Sequence, residues 1–157
     1  MKNNVKKLII CIALPLLVGG ASALITRNSM ESFSTLNKPP LSPPGWLFPV
    51  VWTILYILMG VASYLVSVAK APATAKDSAL AVYGISLAFN FLWSVIFFNM
   101  ETYLLAFFWL LVLWLLIIWA AALFWKIDKT AGILMLPYII WVTFAGYLNF
   151  AIYLLNR

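Results

Sequence analysis

Five long runs without a single charged side chain dominate this sequence and limit what it can fold into. They cover residues 8–25, 46–68, 78–99, 103–125 and 133–155, and each holds between 18 and 23 residues. About 20 apolar residues in a helix are enough to cross the hydrocarbon core of a bilayer. The runs carry apolar residues on every helical face, which is typical of helices in lipid. The sequence therefore predicts an all-α integral membrane protein with five transmembrane helices, in a single domain that spans residues 1–157.

The residue types that are scarce exclude several classes of function. Only 9% of the residues are charged, against about a quarter in soluble proteins. Histidine is absent and Cys11 is the single cysteine, so His-based catalysis, an ordinary metal site and a disulfide framework are excluded. The sequence predicts no metal site and requires no cofactor. The acids are expected in the loops, away from any buried carboxylate pair; they are Glu31, Asp77, Glu101 and Asp128.

Lysine and arginine are distributed unevenly between the two ends of the runs. The N-terminal segment and the second and fourth loops carry seven of them, whereas the first and third loops and the C-terminus carry three. Positive residues near the spans favour the cytoplasmic side. The N-terminus is therefore predicted to be cytoplasmic and the C-terminus to lie outside. We interpret the net charge of +6 through anionic lipid headgroups rather than through nucleic acid.

The first run has two interpretations. Lysines precede it and Ala21-Ser22-Ala23 ends it, which is the pattern of a cleavable signal peptide. The alternative, which we favour, is a retained first helix.

The first loop, residues 26–45, is long and carries four prolines that stiffen it: Pro39, Pro40, Pro43 and Pro44. Loops of this length are usually functional or disordered. We expect a lid in which Met30, Phe33 and either Leu36 or Leu41 cover the mouth of a cavity. A solvated connector is the alternative.

Polar and aromatic residues recur at four-residue spacing inside the runs, which places them on shared helical faces. The sets are Ser86, Asn90 and Ser94 in the third run; Trp52 and Tyr56 in the second; and Trp141, Ala145 and Asn149 in the fifth. Amides are costly against lipid, so these faces are expected to point inward. The pattern leaves open whether they line a cavity or only join helices.

The eight tryptophans do not all need the same explanation. Trp46 and Trp125 lie at the ends of runs and fit an interfacial aromatic belt. Trp109, Trp114 and Trp119 lie along the fourth run, where we expect them to pack on partner helices or on a dimer neighbour. Trp52, Trp93 and Trp141 are the ones that we assign to a binding cavity.

Several of these motifs, taken together in their order, resemble the translocator protein family, also called TspO/MBR, tryptophan-rich sensory proteins or peripheral benzodiazepine receptors. They are Lys38-Pro39-Pro40-Leu41-Ser42-Pro43-Pro44-Gly45-Trp46, Trp52-Thr53 with Tyr56, Asn90 with Trp93, Pro137-Tyr138 with Trp141, Phe144-Ala145, and Leu148-Asn149. One position departs from the family pattern, because Leu41 stands where the first loop usually has a tryptophan. This departure is expected to alter the contacts of the lid with a ligand.

The resemblance implies a compact five-helix bundle, usually a homodimer, with one pocket in each subunit under the first loop. The ligands of the family are porphyrins, cholesterol and other sterols, and benzodiazepine- or isoquinoline-type drugs. By motif match the pocket residues are Pro43, Pro44, Trp52, Tyr56, Asn90, Trp93, Trp141, Phe144 and Ala145. A short sterol-recognition pattern is matched loosely by Leu148, Tyr153 and Arg157, and we give it little weight.

The leading functional hypothesis is a membrane receptor or carrier for a protoporphyrin-type tetrapyrrole in a bacterial cell membrane, with a sensory, regulatory or transport role. Aromatic faces would stack on the macrocycle, and Arg27 or Lys38 at the mouth would meet its propionates. The lack of histidine predicts a preference for metal-free porphyrin over haem. The alternative is light- and oxygen-dependent porphyrin breakdown, with Trp52 and Trp141 in a photochemical role. An ion-coupled transporter and a purely structural subunit rank lower, since the runs hold no charge for coupling.

Overall fold

The computed structural model describes residues 2–157, and throughout that range the regular structure is helical. Five of its helices are long and apolar enough to cross a membrane. They are α1 Lys2–Thr26, α3 Leu47–Val68, α4 Ala73–Ser94, α5 Tyr103–Ile127 and α7 Leu136–Leu155. Two short helices lie between them: α2 Met30–Thr35 in the first loop, and α6 Lys129–Leu134 before α7. The prediction of an all-α bundle with five spans is confirmed.

Helix α4 departs from its predicted bounds, because it begins at Ala73 rather than at residue 78. Pro72 precedes its first turn, and Lys76 and Asp77 lie inside the helix. The expectation that every acid lies in a loop is therefore wrong for Asp77, and also for Glu31, which lies in the first turn of α2. A helix can continue beyond the hydrocarbon layer into the headgroup region, where charged side chains are solvated.

The predicted fifth span, residues 133–155, is interrupted near its start. Helix α6 ends at Leu134, and α7 begins at Leu136 with Pro137 in its first turn. A proline is tolerated there because the amide hydrogen that it lacks has no partner in the first turn anyway. Asp128 caps α6, since its Oδ1 accepts a hydrogen bond from the amide of Ala131 at 2.9 Å. The predicted fourth loop is therefore largely helical.

Helices α1 and α3 approach each other closely at Gly60. A Cβ atom at this position would lie 2.5 Å from the Cα of Ile12 and 2.8 Å from the carbonyl oxygen of Cys11. Both of these are backbone atoms, so the two helices touch through their main chains. Small residues permit such contacts in membranes, where packing replaces the hydrophobic effect between helices.

Indole side chains join α5 to the helices on either side of it. Trp109 donates its Nε1–H to the carbonyl of Phe89 on α4 at 2.9 Å, and Trp114 donates to Thr143 Oγ1 on α7 at the same distance. Trp119 is instead 56% exposed on the outer surface of the chain. Of the three tryptophans that the sequence assigns to packing along this helix, Trp109 and Trp114 therefore pack within the bundle.

The first loop is folded rather than extended. After α1 it forms one turn of 3₁₀-helix at 27–29 and then α2. Three contacts then follow one another down α7: Asn37 with Asn156, the Pro40 carbonyl with the Tyr147 hydroxyl at 3.1 Å, and Phe48 with Trp141. The segment 37–48 consequently runs antiparallel to α7 and covers one of its faces.

Candidate functional site

A cavity of about 550 Å³ lies beneath the folded first loop, between α1, α3, α4 and α7. Small-molecule sites usually have volumes of about 300–1,000 Å³. Its lining is predominantly apolar and aromatic. The residues are Leu16, Gly19, Gly20, Ser22, Ala23, Thr26, Arg27, Met30, Phe33, Gly45, Phe48, Pro49, Trp52, Thr53, Tyr56, Asn90, Trp93, Ser94, Phe97, Phe98, Ala145, Leu148 and Asn149.

One wall of the cavity is formed by two aromatic rings of α3. Trp52 stacks on Tyr56 with ring centroids 5.4 Å apart and an angle of 27° between the planes. Tyr138, from α7, packs edge-to-face with Trp52, with the two ring centroids 6.1 Å apart. Residues four positions apart lie on one helical face, so the α3 helix presents both rings to the cavity.

A second part of the lining is a cluster of aromatic rings that links α4 to the first loop. Trp93 stacks on Phe97 at 5.3 Å, and Phe33 of α2 packs edge-on against Phe98 at 5.4 Å. The backbone of 95–99 forms a wider π-type turn, which continues α4 and places both phenylalanines at the cavity. Sequence reasoning missed Phe97 and Phe98 as lining residues, because phenylalanines in an apolar run resemble any lipid-facing side chain.

Two buried asparagines are among the polar residues of the lining. The Nδ2 of Asn90 lies 2.7 Å from the hydroxyl of Tyr138. The Oδ1 of Asn149 accepts from Trp93 Nε1 at 3.1 Å, while its Nδ2 donates to the Tyr103 carbonyl at 2.8 Å. These bonds connect α4, α5 and α7 around the cavity, so the same amides hold the helices together and line the cavity.

Charge reaches the cavity at the end nearest the loop. Arg27, in the turn after α1, is exposed and is the single charged residue among those that line the cavity in the described chain. Lys38 does not line it; its Nζ lies 4.7 Å from the centre of the Phe33 ring on the lid. Of the two cations predicted at the mouth, Arg27 is therefore in place to meet an anionic group, and Lys38 packs on the loop.

The predicted pocket residues fall into two groups. Those that line the cavity are Trp52, Tyr56, Asn90, Trp93 and Ala145; those that do not are Pro43, Pro44, Trp141 and Phe144. Trp141 packs edge-on against Phe48 at 6.0 Å, and Phe144 stacks on Tyr147 at 6.2 Å. Both lie on the side of α7 that the segment 37–48 covers, which explains their absence from the lining.

Only some residues of the predicted lid line the cavity. Met30 and Phe33 line the cavity, and Leu36 is partly buried against the core. Leu41 is 80% exposed, in a turn closed by the bond from Ser42 N to the Pro39 carbonyl. Leu41 is not among the residues that line the cavity, and its effect on ligand contacts stays a prediction.

Comparison with known proteins shows which family this chain belongs to. The sequence model of the TspO/MBR family matches residues 11–155. The chain belongs to the TspO/MBR family. It is 38% identical over 157 residues to the tryptophan-rich protein TspO of Chlorobaculum tepidum, with 99% of each chain covered.

Other relatives that this chain matches include a second bacterial protein and a mammalian one. The chain is 40% identical over 129 residues to protein CrtK of Rhodobacter capsulatus, covering 79% of this chain and 78% of that one. It is 32% identical over 147 residues to the translocator protein of Bos taurus, with 92% and 86% covered. Family membership and the five apolar helices together establish a multi-pass integral membrane protein.

Proposed function

We propose that the cavity binds a flat apolar tetrapyrrole of the protoporphyrin type, and that the protein acts as a membrane receptor or carrier for it. The observation that carries the proposal is that two stacked aromatic pairs, Trp52 with Tyr56 and Trp93 with Phe97, line one cavity of about 550 Å³. Aromatic rings gain both buried area and favourable stacking geometry against a flat conjugated ligand. The relatives named translocator protein and tryptophan-rich sensory protein favour a transport or a sensory, regulatory role.

The mouth of the cavity suits the polar edge of such a ligand. Arg27 offers a guanidinium that pairs with carboxylates in two parallel hydrogen bonds. With the propionates at Arg27, the macrocycle would lie between the aromatic walls and away from water. Because the chain has no histidine to serve as an ordinary axial ligand of haem iron, we expect it to prefer metal-free porphyrin over haem.

Sterols and benzodiazepine- or isoquinoline-type drugs are further candidate ligands of the same cavity. Of the loosely matched sterol pattern, Leu148 lines the cavity whereas Tyr153 and Arg157 do not. We also propose a homodimer in a bacterial cell membrane, with the N-terminus on the cytoplasmic side. The exposed Trp119 on α5 would then face lipid or a second copy.

The test is a titration of the purified protein with protoporphyrin, followed by quenching of tryptophan fluorescence. Trp52→Phe, in the wall, is compared with Trp119→Phe, on the outer surface. The proposal predicts a weaker affinity for Trp52→Phe and an unchanged affinity for Trp119→Phe. Equal affinities in the two variants, or no saturable quenching in the wild type, would refute it. A haem titration that shows comparable affinity and the spectrum of an axial ligand would overturn the preference for the metal-free ring.

Light- and oxygen-dependent breakdown of the porphyrin is the second candidate function, and the position of Trp52 favours it. The centre of its ring lies 5.4 Å from that of Tyr56 and 6.1 Å from that of Tyr138, so Trp52 contacts two further oxidisable rings, and Tyr56 also lines the cavity. Trp141, the other tryptophan proposed for this role, contacts Phe48 instead. Illumination of the complex in air tests the idea. Bleaching that is unchanged in Trp52→Phe, at saturating porphyrin, would remove the chemical role.

A further inference from the structure

The two asparagines at the cavity differ in how much of their hydrogen-bonding capacity the protein already uses. Asn149 uses both of its groups, because its Oδ1 accepts from the Trp93 indole and its Nδ2 donates to the Tyr103 carbonyl. An indole can only donate and a carbonyl can only accept, so these partners fix which way the Asn149 amide points. Asn149 is thus a structural bridge with little left for a ligand.

Asn90 makes a single side-chain bond within the described residues, the contact with the Tyr138 hydroxyl at 2.7 Å. The bond from Ser94 goes to the backbone carbonyl of Asn90 and leaves the side chain free. Asn90 is only 1% exposed, yet it lines the cavity. One half of a buried amide is therefore left for whatever enters the cavity.

Tyr138 decides which half that is. A hydroxyl can donate or accept, and the Asn90 amide can turn by 180° to present either its oxygen or its nitrogen. If Nδ2 donates to the tyrosine, the hydroxyl hydrogen of the fully buried Tyr138 has no acceptor among the described residues. If the tyrosine donates to Oδ1, that hydrogen is satisfied. A separation of 2.7 Å is also usual for an O–H···O bond and short for a neutral N–H···O bond.

We infer that Tyr138 is a positioning residue that turns the Asn90 amide so that its two N–H donors face the cavity. The cavity then selects flat ligands that carry a hydrogen-bond acceptor at this point, such as a carbonyl oxygen or an imine-type ring nitrogen. Trp52 adds a second donor, since its indole N–H has no partner within the described part of the chain while its ring lines the cavity. This inference rests on the proposed function of the cavity as a site for flat apolar ligands.

Three flat tricyclic molecules test the inference, because they differ at one position only. Fluorenone carries a carbonyl acceptor there, fluorene a methylene group, and carbazole an N–H donor. The wild type is expected to bind fluorenone about tenfold more tightly than carbazole, as judged by tryptophan quenching, with fluorene between them. The carbonyl stretch of bound fluorenone should also shift to lower frequency. In Tyr138→Phe the amide is no longer held, so the affinity ratio should fall to about one and the shift should be lost.

Tyr83→Phe is the matched control, because it removes a buried tyrosine hydroxyl that makes no hydrogen bond with any described residue and lies outside the lining. It should keep both the ratio and the frequency shift. Asn90→Leu removes the amide itself and must abolish the preference, and it decides the matter if Tyr138→Phe does not fold. Carbazole binding as tightly as fluorenone in the wild type, an unchanged ratio in Tyr138→Phe, or no binding of any of the three overturns the inference.

A parallel titration with protoporphyrin separates this inference from the proposed function. Protoporphyrin binding without discrimination among the three tricyclic molecules would refute the role of Tyr138 but would still support the proposed function. Discrimination among the tricycles without protoporphyrin binding would retain the role of Tyr138 and remove the tetrapyrrole as the ligand.

Discussion

Two adjacent glycines of α1, Gly19 and Gly20, provide a sensitive test of the cavity wall. Both line the cavity, but only Gly19 lies against another side chain. A Cβ atom at Gly19 would lie 2.7 Å from Cδ2 and 2.9 Å from Cζ of Tyr56, well inside the contact distance of about 3.5–4.0 Å between carbon atoms. A Cβ at Gly20 would meet no described atom within 4 Å beyond its own stretch of helix.

The magnitude follows from two opposing terms. Replacing glycine by alanine inside a helix stabilises it by about 0.8–1.0 kcal/mol, and both variants share that gain. Forcing an extra methyl into a packed contact costs about 1–3 kcal/mol, and this applies at Gly19 only. Gly20→Ala is therefore expected to stabilise the protein, whereas Gly19→Ala should be less stable than Gly20→Ala by about 1–3 kcal/mol. For a chain of this size that corresponds to about 2–4 °C in Tm per kcal/mol.

The substitution that lowers stability should also weaken ligand binding. The Tyr56 ring can escape the new methyl only by moving toward the cavity or by pushing α1 away, and either movement alters the wall. Protoporphyrin affinity should fall in Gly19→Ala and stay near that of the wild type in Gly20→Ala. Thermal unfolding in detergent and fluorescence titration measure the two effects. Adding Tyr56→Leu to Gly19→Ala removes the ring and should recover most of the lost stability.

The reasoning is refuted if Gly19→Ala stabilises the protein as much as Gly20→Ala and binds porphyrin equally well. That result would mean that Tyr56 does not pack against α1, and that the wall formed by Trp52 and Tyr56 is not where we describe it. Gly20→Ala destabilising the protein would instead show that α1 is packed against something at this position.

Three further predictions concern the first loop. Leu41 has φ = 72° at the third position of its turn, and a residue with a side chain is strained in that conformation. Leu41→Gly should therefore raise the free energy of unfolding by about 1 kcal/mol, and a lower Tm would contradict this. Asn156→Ala removes two hydrogen bonds of 2.9 Å to the backbone of Asn37, so protease cleavage within the first loop and porphyrin dissociation should both become faster. Unchanged rates would mean that the Asn37–Asn156 contact does not hold the loop in place. Arg27→Gln should weaken protoporphyrin binding about two- to fivefold and leave its dimethyl ester unaffected, since the exposed arginine acts on the carboxylates; equal losses for both ligands would argue against that contact.

The sequence predicts the five helices well because crossing lipid leaves no alternative to long uncharged helical runs. The ends are less predictable. Lys76 and Asp77 look like loop residues in a hydropathy pattern, yet they lie in α4, because helix formation does not stop where the hydrocarbon layer stops. The break at Met135 is likewise a local effect, associated with a proline that the helix accepts only in its first turn.

The cavity is predictable only in part. The spacing of Asn90 and of Trp52 with Tyr56 identifies which faces point inward. Periodicity does not say which neighbour covers a face, and for this reason Trp141 is expected at the cavity but packs beneath the segment 37–48. Periodicity gives no signal for Phe97, because this residue reaches the cavity through a π-type turn that cannot be recognised within an apolar run.

The most direct test of the central claim is to fill the cavity from α7 and measure protoporphyrin affinity. Ala145 lines the cavity, whereas Ile140 on the same helix is 69% exposed on the outer surface. Ala145→Trp and Ile140→Trp each add one indole, so the two variants carry the same number of tryptophans in the titration. We predict that Ala145→Trp reduces the affinity at least tenfold while Ile140→Trp keeps that of the wild type. Equal affinities in the two folded variants would show that the ligand does not occupy this cavity.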